Sequence, residues 1–308
     1  MKRDRYAAQV RLLVRVLPLI AEERAFALKG GTAINLFHRD LPRYSVDADL
    51  IYLPVEGREE SLAAIATALT RLATRIEDRV AGARATVVSG GGGQETRIVV
   101  QTQVAQVKIE VSPIMRGTLF PPRTMSVREA VQEAFGFAEN PVVSFEELYA
   151  GKIIAALDRA HPRDLFDVHH LLHEEGITDA LFRTTLIYAI SSGRPMHEVL
   201  DPSPIDLTDL YVQEFEGMTV RPLPLETLHA VRERLVSHVR GRLTGDAAAF
   251  LEGVHDCEPD FESIGLPQAA DLPAVRWKLL NLKALKTQDP MRHAEQRDAL
   301  RALFVDRN

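Results

Sequence analysis

The sequence predicts a mixed α/β half followed by a helical half. Two observations carry this. Alternating, β-branched stretches are confined to the part of the chain before residue 112, and helical periodicity dominates from Phe145 onward. A third, the change of character after Pro121-Pro122, puts the division near residue 140, giving domains of 1–140 and 141–308. A chain of 308 residues suits two such domains, since domains typically run to about 150 residues.

The elements follow in order. Residues 5–24 read as an amphipathic helix, with Val10, Leu13, Val14 and Leu17 at helical spacing. Phe26-Ala27-Leu28 is a short strand ending in Gly30-Gly31, after which Thr32 is placed to cap a helix running to Phe37. Val46–Leu53 reads as a strand and Glu59–Asp78 as a long helix. Ala85–Val88, Thr96–Thr102 and Val104–Val111 are strands, with the run Gly90–Gly93 as a hairpin turn. Helices are then expected at Phe145–Arg159, Arg163–Glu174, Asp179–Ser191, Leu223–Leu243 and from Ala274 to the end. The proline-rich stretch Pro195–Pro204 reads as a loop.

Composition narrows the class. Hydrophobic residues make up 46% and the net charge is −6, as in an ordinary globular protein. No apolar run approaches the roughly 20 residues of a membrane span. The apolar residues after the basic start alternate with Arg11, Arg15, Glu22 and Glu23, which suits a helix rather than a secretory leader. Cys257 is the sole cysteine, so no internal disulfide can form. A cytoplasmic protein without membrane association is expected. Residues 276–308 carry eight Lys or Arg against four acids, which offers either a solvated helix face or an RNA-facing surface. Lysines are scarce, seven against thirty arginines, and three of them (Lys29, Lys108 and Lys152) fall in the segments considered next.

In Tyr44-Ser45-Val46-Asp47-Ala48-Asp49-Leu50 a strand would put Asp47 and Asp49 on one face and Val46, Ala48 and Leu50 on the other. Two neighbouring carboxylates repel and need a cation or proton between them. Mg²⁺ suits, because it takes a few carboxylates and leaves its other positions to water and phosphate. Val107-Lys108-Ile109-Glu110-Val111 repeats the alternation. If this strand neighbours the first, Glu110 becomes a third carboxylate, and three such acids can hold two cations for phosphoryl or nucleotidyl transfer; a surface strand with Lys108 and Glu110 facing water is the alternative. Upstream, Lys29-Gly30-Gly31-Thr32 lies between strand and helix, where glycines let the backbone approach a phosphate and Thr32 adds a hydroxyl; a plain tight turn is the alternative.

Downstream, Lys152 lies on a helix whose other face is apolar (Leu148, Ile153, Ala156, Leu157), where it can grip a triphosphate as a point charge. Pro162 opens the next helix. Asp164 there favours the helix dipole, as a cap would, and shares a face with Asp167. His169, His170 and His173 also cluster on this helix, but they lack a second ligand pair at zinc spacing and read as a partly exposed face. Gly90–Gly93 precedes no helix and is no phosphate cradle.

Together these segments resemble the AbiEii/MenT nucleotidyltransferase toxins, a branch of the polymerase-β-like nucleotidyltransferase superfamily. The resemblance rests on K-G-G-T-A-I-N-L-F (29–37), R-Y-S-V-D-A-D-L (43–50), V-K-I-E-V (107–111), E-L-Y-A-G-K (147–152) and R-A-H-P-R-D-L-F-D-V (159–168). It implies a polymerase-β-like core with a mixed sheet, and an α-helical C-terminal domain that completes the active-site cleft. Asp47 and Asp49 would ligate Mg²⁺, with Glu110 as third acid where relatives commonly carry Asp. Lys29, Gly30, Gly31, Thr32 and Ser45 would bind the nucleotide. Lys152 would hold the triphosphate, and Asp164 or Asp167 would be the late acid. It further implies transfer of a nucleoside monophosphate from an NTP to a tRNA 3′ end, opposed by a cognate antitoxin. A small-molecule acceptor, or a silent nucleotide-binding protein, are the alternatives.

Overall fold

The computed structural model describes residues 2–89 and 95–304. These divide into two compact units. The first comprises residues 1–144 with 215–222, the second 145–214 with 223–308.

The first unit holds one seven-stranded mixed sheet. Its strands are β1 (Phe26–Lys29), β2 (Asp47–Tyr52), β3 (Arg84–Ser89), β4 (Glu95–Gln101), β5 (Gln106–Arg116), β6 (Arg123–Ser126) and β7 (Glu139–Val142), in the order β3-β4-β5-β2-β1-β7-β6. β2 lies between β1, its antiparallel neighbour, and β5, which runs parallel to it. Its helices are α1 (Lys2–Ala21), the single turn α2 (Gly30–Thr32), α3 (Arg58–Arg79) and α4 (Glu129–Phe135). α1 and α3 pack against the sheet. Val10, Leu13 and Leu17 of α1, with Ile65, Leu69 and Leu72 of α3, are buried there with Leu50, Ile98, Val107 and Ile109 of the strands. This burial, at about 25 cal/mol per Å² of apolar surface, is what holds the layers together. Glu23, 5% exposed, ties the two helices by accepting from Arg71 at 2.8 Å and Arg75 at 3.0 Å.

Residues 215–222 return to this unit and clasp the loop ahead of β2. The Tyr44 amide donates to the Met218 carbonyl (2.8 Å) and the Val220 amide to the Pro42 carbonyl (2.9 Å). Tyr44 also stacks on Tyr6 of α1.

The second unit is helical: α5 (Phe145–Asp158), α6 (Pro162–Glu174), α7 (Asp179–Ile190), α8 (Met196–Leu200), the single turn α9 (Thr208–Leu210), α10 (Leu225–Arg240), α11 (Gly245–Asp256), α12 (Pro273–Gln288) and α13 (Pro290–Arg301). α5 packs on α6, α7 and α10, and α11 on α12 and α13. No helix among the described residues is long and apolar enough to cross a membrane.

Several expectations need correction. The sequence reading lacks β6, β7 and α4. β7 contains Pro141 and meets β1 at a single residue pair, Leu28 with Val142, so its pairing is non-local and leaves no alternation to read. α11 was not foreseen; it opens on Gly245 at positive φ, a residue that reads as a breaker. The last helix is two, because Pro290 lacks an amide and starts α13, which Asp289 caps by accepting from the Arg292 amide. The supposed loop Pro195–Pro204 contains α8. The run Gly90–Gly93 lies outside the described residues; β3 and β4 on either side of it pair antiparallel.

The largest correction concerns α12. Trp277 and Leu280, which look core-seeking, are 57% and 60% exposed. Lys278 is 9% exposed and donates to the Arg194 carbonyl at 2.7 Å, and burial pulls its ammonium down to about 8. It therefore does not belong to an RNA-facing basic surface. Leu282, with Ala274 and Val275, makes the buried stripe, rotated from the one the hydrophobic residues suggest.

α11 and α13 are joined through two buried histidines. His255 Nε2 lies 2.9 Å from the His293 carbonyl, and His293 Nε2 lies 3.0 Å from the His255 carbonyl. Carbonyls only accept, so both Nε2 atoms must carry protons. The ring centroids are 4.2 Å apart. Burial, helped by His293 and Arg297 and opposed by the His293 carbonyl and Asp256, pushes the His255 pKa down. A lowered pKa means that unfolding takes up a proton, so stability present above the ordinary His value, about 6.5, is lost as pH falls below it. Thermal midpoints measured from pH 7.5 to 5 should fall, and His255→Gln, which keeps a donor for the carbonyl, should make that fall shallower.

Candidate active site

β2 is the centre of the first group of predicted residues. Ala48 and Leu50 are fully buried on the helix-covered face, so Asp47 and Asp49, half-buried, share the opposite one. β5 is the neighbour of β2, and the register sets Asp47 opposite Lys108 and Asp49 opposite Glu110. On the other side β1 sets Lys29 opposite Asp49. Beyond β5, Arg97 of β4 stands opposite Glu110, and the two side chains form an ion pair. One row across four strands thus reads Lys29, Asp49, Glu110, Arg97. These four residues, with Thr96 and Val111 to Pro113, line a cavity of about 250 Å³.

The glycine turn after β1 is built around the same row. Gly30 has φ +72°, in the left-handed region, and a Cβ there would run into the Asp49 carboxylate. A Cβ on Gly31 would meet the Arg43 guanidinium at 2.6 Å and Ser45 Oγ at 3.1 Å. Both glycines therefore first make room for the protein's own polar side chains. Thr32 is not the cap the sequence suggests. It sits inside the turn with helical φ and ψ, and Lys29 holds the N-cap position without a side-chain bond. The Thr32 hydroxyl instead donates to the Asp47 carbonyl and lies 2.9 Å from the Ser45 hydroxyl, tying the turn to the start of β2. The following segment, Ala33–His38, is a π-helix whose Ile34, Leu36 and Phe37 are buried.

Lys152, Asp164 and Asp167 form a second group, in the helical unit. Lys152 is 7% exposed rather than solvated, with Nζ 2.7 Å from Asp164 Oδ1 and 3.1 Å from Asp167 Oδ2. Arg159 Nε donates to Asp164 Oδ2 at 2.7 Å. Burial alone would raise the Asp164 carboxyl, but Lys152 and Arg159 outweigh it and hold it well below the carboxylate range. Nor does the Asp164 side chain cap α6. His161 does so, accepting from the Arg163 amide, with Pro162 at the first helical position. His169, His170 and His173 pack ring against ring, and His170 pairs with Glu174 at 3.1 Å. Among the described residues no group of three or more His, Cys, Asp or Glu could hold a metal ion.

Sequence reasoning missed Arg43, Arg97 and Arg159. Arg43 and Arg159 open two of the motifs named above, R-Y-S-V-D-A-D-L and R-A-H-P-R-D-L-F-D-V, where neither has a role by itself. Arg97 carried no signal until the β4–β5 register was known. The donors fit a divalent cation in part: Asp47 and Asp49 offer hard oxygens on one strand face, while Glu110 is engaged by Arg97.

The family model described as "Nucleotidyl transferase AbiEii toxin, Type IV TA system" matches residues 11–281. The chain belongs to this family. It is accordingly a nucleotidyltransferase, a toxin of the type IV toxin–antitoxin class. Its fold is similar to that of MenT4, a nucleotidyltransferase toxin from Mycobacterium tuberculosis H37Rv, with a TM-score of 0.58 over 97% of this chain and 94% of that one at 16% identity. No curated protein matches the sequence significantly.

Two predictions test how the site is built. Gly30→Ala should destabilise by about 1–3 kcal/mol, from left-handed strain and displacement of Asp49, whereas Gly57→Ala, with open space around its Cβ, should stay near wild type in urea unfolding. Lys152→Ala takes the ammonium from two buried carboxylates, leaving Asp164 with Arg159 as its cation, and should cost about 3–5 kcal/mol, read from the same unfolding midpoints.

Proposed function

We propose that this toxin transfers a nucleoside monophosphate from an NTP to the 3′ hydroxyl of a tRNA, with Mg²⁺ as its cation, and that a cognate antitoxin opposes it. The observation carrying this reading is the registered row on the sheet face, Asp49 between Lys29 and Glu110 with Asp47 alongside, in a chain of this family.

Asp47 and Asp49 would hold Mg²⁺, with Glu110 as third acid once free of Arg97. When bound, the cation neutralises phosphate charge and lowers the pKa of the attacking hydroxyl. Lys29, facing Asp49, supplies positive charge beside the phosphates, and Gly30 and Gly31 keep the turn close to them. Thr32, bonded to the Ser45 hydroxyl and to the Asp47 carbonyl, fixes the start of β2. Lys152 is satisfied by Asp164 and Asp167. Its pull on a triphosphate would be shared with them, which makes it a positioned charge rather than a free one. Little covalent chemistry falls to side chains. Orientation and preorganised charge carry the rate.

A small-molecule acceptor is the second reading. It is favoured by the burial of Lys278, which takes a cation from the basic segment that suggested RNA. Incubation with each α-labelled NTP, total tRNA and small hydroxyl acceptors separates the two. Label on tRNA supports the first, and label on small acceptors alone supports the second. Asp47→Asn and Asp49→Asn should each cut incorporation by about 10²-fold or more while keeping the wild-type thermal midpoint or raising it slightly. Wild-type incorporation in either variant would refute the assignment.

A further inference from the structure

The polar face of the sheet is balanced in charge before any ligand arrives. Each carboxylate has a cation directly across a strand pair: Asp47 faces Lys108, Asp49 faces Lys29, and Glu110 faces Arg97. Of these, Arg97 and Glu110 are in direct ion contact, each side chain about one-third exposed. The contact follows from register rather than from chance rotamers. Residue 98 is fully buried beside Arg97, and Ile109 and Val111 are buried on either side of Glu110, so neither backbone can turn. Opposed Cβ atoms in such a pair stand about 5 Å apart, within easy reach of an Arg and a Glu.

We propose that Arg97 holds the place of a second cation at Glu110, so that this face binds one divalent ion firmly, on Asp47 and Asp49, and a second only when Arg97 leaves. The inference rests on the nucleotidyltransferase reading and deepens it. Three carboxylates on one face repel one another unless cations or protons lie between them, and two divalent ions are one way to relieve this. Here a guanidinium already neutralises the third acid, and a metal ion entering beside it meets a positive charge a few ångströms away. At that distance the repulsion is twice that between two unit charges, because the ion is divalent, and the medium of a protein surface screens it only in part. Arg97 also lines the same cavity as Lys29 and Asp49. A guanidinium released from Glu110 would therefore remain where it can face a phosphate, for which its fork of donors is suited.

The test counts ions. Mn²⁺ is titrated into the full-length chain and free ion is followed by electron paramagnetic resonance. Wild type should bind about one ion per chain in the tight phase, and that ion should be lost in Asp49→Asn. Arg97→Gln, and independently the strand-favouring Arg97→Thr, should bind about two, with affinity for the second raised about tenfold or more; Arg97→Lys should stay at one. Adding Glu110→Gln to Arg97→Gln should remove the second ion. Thermal melting confirms that each variant is folded. Two equal ions in wild type, or unchanged stoichiometry and affinity in both neutral Arg97 variants, would overturn the role of Arg97 while leaving the cation reading standing. No Mn²⁺ bound by any variant would overturn both.

Discussion

The register of β2 with its two neighbours is the constraint on which the rest of the first unit depends. Side chains alternate along a strand, so a slip of one residue would send Asp47 and Asp49 into the helix-covered core and Ala48 and Leu50 to the polar face. The apolar face prevents this: Leu50, Ile109, Ile98 and Leu28 lie on adjoining strands and are all fully buried. The chemistry of one face is therefore fixed by the hydrophobic effect on the other. Lys29, Asp49, Glu110 and Arg97 line up because the residues between them must be inside.

The turn after β1 follows from the same constraint. With Asp49 fixed, its carboxylate occupies the space where a side chain at residue 30 would go, and only glycine fits there at positive φ. With Ser45 and Arg43 just before β2, a side chain at residue 31 would have to displace the Arg43 guanidinium and crowd the Ser45 hydroxyl. Thr32 then bonds to the Asp47 carbonyl, and the clasp of Tyr44 and Pro42 by residues 218–220 holds the loop from its other side. A motif that reads as a phosphate loop is also a packing solution for the two acids of β2.

In the helical unit the organising feature is a buried charge network. Lys152 and Arg159 bring two positive charges to Asp164, and Lys152 reaches Asp167 as well. The buried members, Lys152, Asp164 and Asp167, are each costly alone and tolerable only with their partners, while the exposed Arg159 joins from the solvent side. That makes the E-L-Y-A-G-K and H-P-R-D-L-F-D segments a structural unit of their own, whichever ligand they serve.

The sequence by itself determined the alternation of β2 and β5, the sharing of one face by Asp47 and Asp49, the helical character beyond Phe145, and the family. These are local patterns, written in periods of two or 3.6 residues. Tertiary structure decided what periodicity cannot encode. The pairing of β7 with β1 brings together residues more than a hundred apart, and the return of residues 215–222 to the first unit does the same. The partner of Glu110 is Arg97 because of where β4 lies, and nothing local announces it. Lys278 is buried while Trp277 and Leu280 are exposed, because which stripe of α12 faces inward is set by what packs on it and not by hydrophobicity alone. Burial and ion pairing are properties of neighbours in space, and a sequence lists only neighbours along the chain.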